Sequence, residues 1–250
     1  MIHTGLVSIT FRQLSPEEII DLVAQAGLKG IEWGGDVHVP HGDVARARQV
    51  RQWTQDAGLV VPSYGSYYRL NTPDSPPFQA VLDAAVALEA PIVRVWAGRL
   101  GSDQADAAFR QAIIEESRHI GDLARQAGVV VAYEFHGNTL TDTNASALQL
   151  LREVAHDHVK TYWQPMRAAE ETVRLEGLHA VLPWLTHLHV FSWEQDGSRL
   201  RLTTGEAPWR ERFEIVHSTG REHYALIEFV QQNAPEAFLD DAATLKRWIG

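Results

Sequence analysis

One short joint recurs along this chain. Ala26-Gly27-Leu28, Ala57-Gly58-Leu59 and Ala127-Gly128-Val129 each lie between an amphipathic stretch and an apolar run. Glycine closes a helix in the left-handed conformation at little steric cost, so the repeat reads as one helix-to-strand joint used several times. Strand-like runs start near Thr4, Gly30, Val60, Ile92, Val129, Val159, Leu185 and Tyr224. Between them lie credible helices. Ser15-Pro16-Glu17-Glu18 forms a capping box with proline at the first helical position, followed by Ile19, Ile20, Leu22, Val23 and Ala26 on one face. Gln104 to Gln126 predicts a longer helix, and Asp240 to Trp248 a closing one.

Eight such units in 250 residues, with no Gly/Ser linker or charge block between them, predict one α/β domain over 1–250, a closed (β/α)8 TIM barrel. An open doubly wound sheet would want a glycine-rich phosphate loop after its first strand, and Gly5-Leu-Val-Ser-Ile-Thr-Phe11 contains none. Residues at the C-terminal ends of barrel strands converge on one face, where chemistry is done. That makes four apolar runs informative: Val129 to Glu134, Val159 to Gln164, Leu185 to His189 and Tyr224 to Glu228. Each ends in a polar side chain that a metal can use.

An ionised carboxylate after Val-Val-Val-Ala-Tyr, with no partner, would cost several kcal/mol or be forced to protonate. A divalent cation removes that penalty, and Glu134 and Glu228 present the same case on two strands. His187 and His189 lie two apart and share the interior face, with His189 nearer the mouth and the better ligand. Gln164 brings an oxygen without a charge. His38 and His41, in the loop after the second strand, are expected to line the mouth or cap the next helix. Trp33, Trp96, Trp163 and Trp193 fall at or just after strand ends, as a hydrophobic collar or as flat faces for a sugar, with Tyr64, Tyr67 and Tyr68 nearby. Arg94 and Arg167 are candidates to hold an anionic substituent.

The net charge of −10 argues against a broad phosphate-backbone footprint, so no nucleic-acid partner is expected. Without cysteine there is neither a disulfide nor a thiolate ligand or nucleophile. The start, Met1-Ile-His-Thr-Gly, lacks a basic segment followed by an apolar one, and no run approaches a membrane span. A cytoplasmic protein without membrane contact is expected.

Gly30-Ile-Glu-Trp-Gly34, Tyr133-Glu-Phe-His136, His187-Leu-His189, Gly205-Glu206 with Trp209, and Ile227-Glu228 follow one another in an order that resembles the xylose isomerase-like barrel superfamily, the sugar phosphate isomerase/epimerase group. The resemblance covers nearly the whole chain. It implies a single divalent ion, most often manganese, with magnesium, cobalt or zinc as alternatives. In ketose 3-epimerases of this group the ligands are Glu, Asp, His and Glu from strands five to eight, which here fall on Glu134, Gln164, His189 and Glu228. The two glutamates are the acid–base pair there. The implied activity is an isomerase or epimerase working on a sugar, sugar acid or cyclitol, by proton abstraction next to a carbonyl through a metal-stabilised enediolate. A lyase such as an inosose-type dehydratase uses the same abstraction, with His136 as acid for the departing hydroxyl. A metal-free sugar-binding barrel with a degraded site is the alternative from another class. Such barrels are often homo-oligomers.

Two departures stand out. The group's usual Asp-x-x-His on strand six is here Gln164-Pro-Met-Arg167, which removes one charge from the site and the histidine. The epimerases' substrate-binding arginine has no aligned match, leaving Arg199 and Arg201 as stand-ins. Endonuclease IV, which shares the barrel, takes further histidines from strands three and four. With those strand ends reading Pro62-Ser63-Tyr64 and Arg94-Val95-Trp96, abasic-site cleavage is not expected.

Overall fold

The computed structural model describes residues 1–166 and 169–250. Eight parallel strands close into a barrel in chain order: β1 (Ile2–Val7), β2 (Gly30–Gly34), β3 (Tyr64–Arg69), β4 (Ile92–Trp96), β5 (Val130–Tyr133), β6 (Val159–Trp163), β7 (Leu185–Val190) and β8 (His223–Ile227), with β8 pairing back onto β1. Among the described residues eight α-helices pack outside: α1 (Pro16–Ala26), α2 (Val44–Asp56), α3 (Phe78–Ala87), α4 (Ala107–Ala127), α5 (Asn144–Val154), α6 (Glu171–Val181), α7 (Glu206–His217) and α8 (Pro235–Ile249). Among the described residues no helix is long and apolar enough to cross a membrane.

The local signals act as their chemistry dictates. Ser15 accepts from the Glu18 amide and Glu18 reaches back to the Ser15 amide, which fixes the start of α1. Gly27, Gly58 and Gly128 all take positive φ, between 67° and 72°, so the repeated joint is one left-handed turn used three times. The closing helix begins earlier than its apolar pattern predicts, at Pro235, because proline suits the first helical turn.

The third strand departs from expectation. Val60 makes only an isolated bridge to Gly30, and β3 proper starts at Tyr64. Pro62 has no N–H to give the ladder, which interrupts pairing between Val60 and Tyr64. Pro62-Ser63-Tyr64 is therefore the entry to β3, and the strand's mouth is built by Tyr67 to Arg69. Register also slips between Gly65 and Tyr68 opposite β4, and Tyr67 within that bulge has φ 56°.

Candidate metal and catalytic site

Glu134 follows β5, Gln164 follows β6, His189 lies near the end of β7, and Glu228 follows β8. The four meet at the mouth of the barrel. One ligand atom each from Glu134, His189 and Glu228 lies within 4.8 Å of the others, and all three residues are buried. His189 Nδ1 is 3.4 Å from Glu228 Oε2 and 3.8 Å from Glu134 Oε1. Gln164 joins them with its oxygen. Its Nε2 donates to the Phe135 carbonyl at 2.6 Å and, weakly, to Glu134 Oε1 at 3.4 Å, so Oε1 turns to His189 Nδ1 at 2.9 Å. The departure at position 164 thus keeps an oxygen donor aimed at the cluster.

This donor set fits a divalent cation. Burial by itself disfavours the charged imidazole, yet Glu228 and Glu32 outweigh it and raise His189 to about 10. Nδ1 is placed to carry a proton between the imidazole, the Gln164 oxygen and two carboxylates. A cation bound among the same atoms would compete with a proton there, because a coordinating imidazole must be neutral. Glu134, Gln164, His189 and Glu228 are the residues that would hold it.

Glu134 is the more firmly held carboxylate. Arg94 donates to its Oε2, as does Trp96 Nε1 at 2.5 Å. Burial would raise its pKa, but the Arg94 guanidinium and neighbouring imidazoles hold it below the usual range. Arg94 is itself buried and also grips Glu32, Nε to Oε1 at 2.7 Å. Glu228, in contrast, has His189 as its only ion-pair partner among the described residues.

Glu134, Gln164 and Glu228 line a cleft of about 540 Å³, with His189 buried behind them, and Arg12, Tyr67, Arg94, Trp96, His136 and Trp193 also line it. His136 stacks on Trp96 with ring centroids 4.6 Å apart. Arg12 pairs with Asp36 and donates to the Tyr67 hydroxyl at 3.0 Å. A larger groove of about 880 Å³ lies by the chain termini, lined by Met1, Lys29, Phe213 and Trp248. It is far from the strand ends that carry the donors, and size alone does not make it the chemical site.

Other candidates stand elsewhere. His187 sits a layer below His189, with Nδ1 2.8 Å from the Thr186 carbonyl, and burial lowers its pKa to about 4. Trp33 is buried behind β2, donating to Thr54 Oγ1 at 3.2 Å, and His38 is buried against Ser8 Oγ at 2.9 Å. Neither lines the cleft, nor does Trp163, which packs against Trp209. Asp43, not a histidine, caps α2. Arg199 reaches over Phe229 at the rim, whereas Arg201 is engaged with Gln231 and Asp240. Arg167 lies outside the described residues.

Three participants escaped the sequence reading: Glu32, Arg12 and Phe229. For Glu32 a signal existed, since it is the lone carboxylate in the run Gly30 to Gly34, the same pattern that marked Glu134.

A family model described as xylose isomerase-like TIM barrel matches residues 20–248. The chain belongs to that family. It is 25% identical over 260 residues to 3-dehydroshikimate dehydratase of Bacillus anthracis, covering 93% of this chain and 92% of that protein. Among solved structures, the probable 3-DHS dehydratase AsbF involved in petrobactin synthesis, also from Bacillus anthracis, superposes with a TM-score of 0.83 at 23% identity, over 98% of this chain and 99% of that one. D-psicose 3-epimerase, solved in the presence of D-fructose, superposes with a TM-score of 0.74 at 16% identity, over 99% of both chains. The same barrel fold is thus found in an epimerase and in a dehydratase.

Proposed function

We propose that this protein is an enzyme that abstracts the proton next to a carbonyl in a small hydroxylated ketone, a sugar, sugar acid or cyclitol. One divalent cation, manganese or magnesium before cobalt or zinc, would be held by Glu134, Gln164, His189 and Glu228. The observation that carries this reading is the convergence of two carboxylates, an amide oxygen and an imidazole from four successive strands beside one cleft. An oxygen-rich set with one imidazole suits such ions. A bound cation there supplies Lewis-acid polarisation of the carbonyl and compensates negative charge developing on its oxygen.

The protein's own groups share the remaining work unequally. Glu228, lacking an arginine partner among the described residues, is the base that takes the proton. Glu134, anchored by Arg94 and Trp96, is the weaker base and, once it has taken a proton from solvent, the acid on the opposite side. Trp96, Trp193 and Tyr67 offer flat faces to the substrate's C–H surface, while Arg94 is taken up by Glu134 and Glu32.

Two exits follow from the same abstraction. Return of a proton from the Glu134 side gives epimerisation, and return to the neighbouring carbon gives aldose–ketose isomerisation. Expulsion of a β-hydroxyl gives dehydration. The dehydratase reading gains from the tethering of Glu134, since elimination needs one free base, and from His136 at the cleft wall as acid for the leaving hydroxyl. The similarity to 3-dehydroshikimate dehydratase supports it too, and the epimerase exit stands beside it with comparable support.

Incubation with ketoses, sugar acids and cyclitol ketones in D₂O tests the shared step. Deuterium entering next to the carbonyl with recovery of an epimer or isomer assigns the first exit. Loss of water with a new conjugated absorbance assigns the second. A panel that shows neither exchange nor water loss contradicts the proposal.

A further inference from the structure

A carboxylate from the first half of the barrel stands behind the ligand cluster, and the chemistry above does not use it. Glu32, in the middle of β2, is fully buried. Ser63 Oγ donates to its Oε2 at 2.8 Å, and Arg94 Nε donates to its Oε1 at 2.7 Å. The same Oε1 lies 3.6 Å from His189 Nε2, an imidazole nitrogen that has no hydrogen-bond partner among the described residues. We propose that Glu32 is a positioning residue for the cation site, fixing the His189 ring so that Nδ1 faces the ligands and holding Glu134 in place through Arg94.

This inference rests on the cation-site reading and extends it to a residue that would touch neither ion nor substrate. Geometry comes first. Arg94 bridges Glu32 and Glu134, so the ligand on β5 is located by an acid on β2. Room for the bridge comes from Gly65, where a Cβ would lie 2.6 Å from Arg94 Nη2 and 2.8 Å from Glu32 Oε1. Charge comes second. Glu32, Glu134 and Glu228 balance Arg94 plus one divalent ion, with His189 neutral as a ligand must be. Without the charge of Glu32 the buried cluster carries an excess positive charge, which works against the cation. A carboxylate behind the far nitrogen of a ligating imidazole orients the ring and raises its basicity, and losing such a partner typically costs about 10–100-fold in metal affinity.

The test is a manganese titration of chelator-stripped protein, read by thermal stabilisation and by calorimetry, for wild type, Glu32→Gln and Glu32→Asp. Glu32→Gln keeps the shape and removes the charge. A half-saturating concentration raised about 10–100-fold, partly restored in Glu32→Asp, supports the inference. A purely structural role would lower the melting temperature of the ion-free protein and leave half-saturation unchanged. Wild-type affinity in Glu32→Gln therefore overturns the inference while leaving the ligand set standing. Should Glu32→Gln fail to fold, Glu32→Asp decides, because withdrawing the carboxylate by one methylene must still weaken binding, and unchanged affinity overturns the inference. Wild-type protein that binds none of manganese, magnesium, cobalt and zinc in the same titration overturns both readings together.

Discussion

The two halves of the barrel mouth carry opposite chemistry. The ends of β5 to β8 present the donors Glu134, Gln164, His189 and Glu228 beside the rings of His136, Trp193 and Phe229, while the ends and loops of β1 to β4 present cations with their rings: Arg12, Tyr67, Arg69, Arg94 and Trp96. Glu32 is the exception that ties the halves together through Arg94 and toward His189. The contrast teaches that the ligand half is not self-sufficient. Its carboxylates are buried at a cost that the other half offsets with one guanidinium, leaving a remaining need that a divalent ion would meet. Strain sits on both sides of the cleft, since Tyr67 and Phe229 each hold positive φ without being glycine.

The largest effect is expected from breaking the chemistry of the ligand half. Glu228→Gln and Glu134→Gln should each lower kcat by about 10²–10⁴-fold while circular dichroism and cooperative unfolding persist. Activity above roughly a tenth of wild type in either variant removes that residue from the acid–base pair.

On the cation half, Arg94→Ala should destabilise the fold by about 3–5 kcal/mol in urea unfolding, because it strands Glu32 and Glu134 as buried charges. A loss below 1 kcal/mol would mean the guanidinium is not what balances them.

A comparison within β7 sharpens the picture along the barrel axis. Burial lowers His187 to about 4, whereas two residues on His189 is raised. The folded protein keeps His187 neutral while the unfolded chain takes up its proton near 6.5. Its contribution is present above that value and falls away as pH drops, by roughly 3 kcal/mol on reaching pH 4. Urea melts from pH 7 to pH 4 should show this loss, and His187→Gln should flatten it. A profile of unchanged slope in the variant would assign acid sensitivity elsewhere.

The smallest effect belongs to the exposed rim. Arg12→Ala breaks a half-exposed pair with Asp36 and should cost less than about 1 kcal/mol in the same melts. A larger value would give the rim a structural part that its exposure argues against.

The barrel was legible because its signals are local. The Ala-Gly-apolar joint, the Ser15 capping box and the apolar runs act within a few residues, as the left-handed glycines and the closed strand order bear out. The convergence of the candidate donors was legible for a related reason, since a carboxylate ending an apolar run must meet something. Direction around the barrel was not. Trp33 and Trp163 sit at strand ends like Trp96, yet only Trp96 faces the cleft, because one residue of register decides which face a side chain takes. The Tyr67 bulge comes from pairing with β4, and Glu32 becomes meaningful only beside Arg94, 62 residues away in sequence.

The central claim is that Glu134, Gln164, His189 and Glu228 form one cation site. Thermal unfolding of chelator-stripped protein with manganese, magnesium, cobalt and zinc, beside His189→Ala, tests it most directly. Saturable stabilisation by at least one ion, rising with concentration as linkage requires and lost in His189→Ala, is the predicted result. No shift with any ion, or an equal shift in the variant, would contradict the claim and put a sugar-binding barrel without a metal in its place.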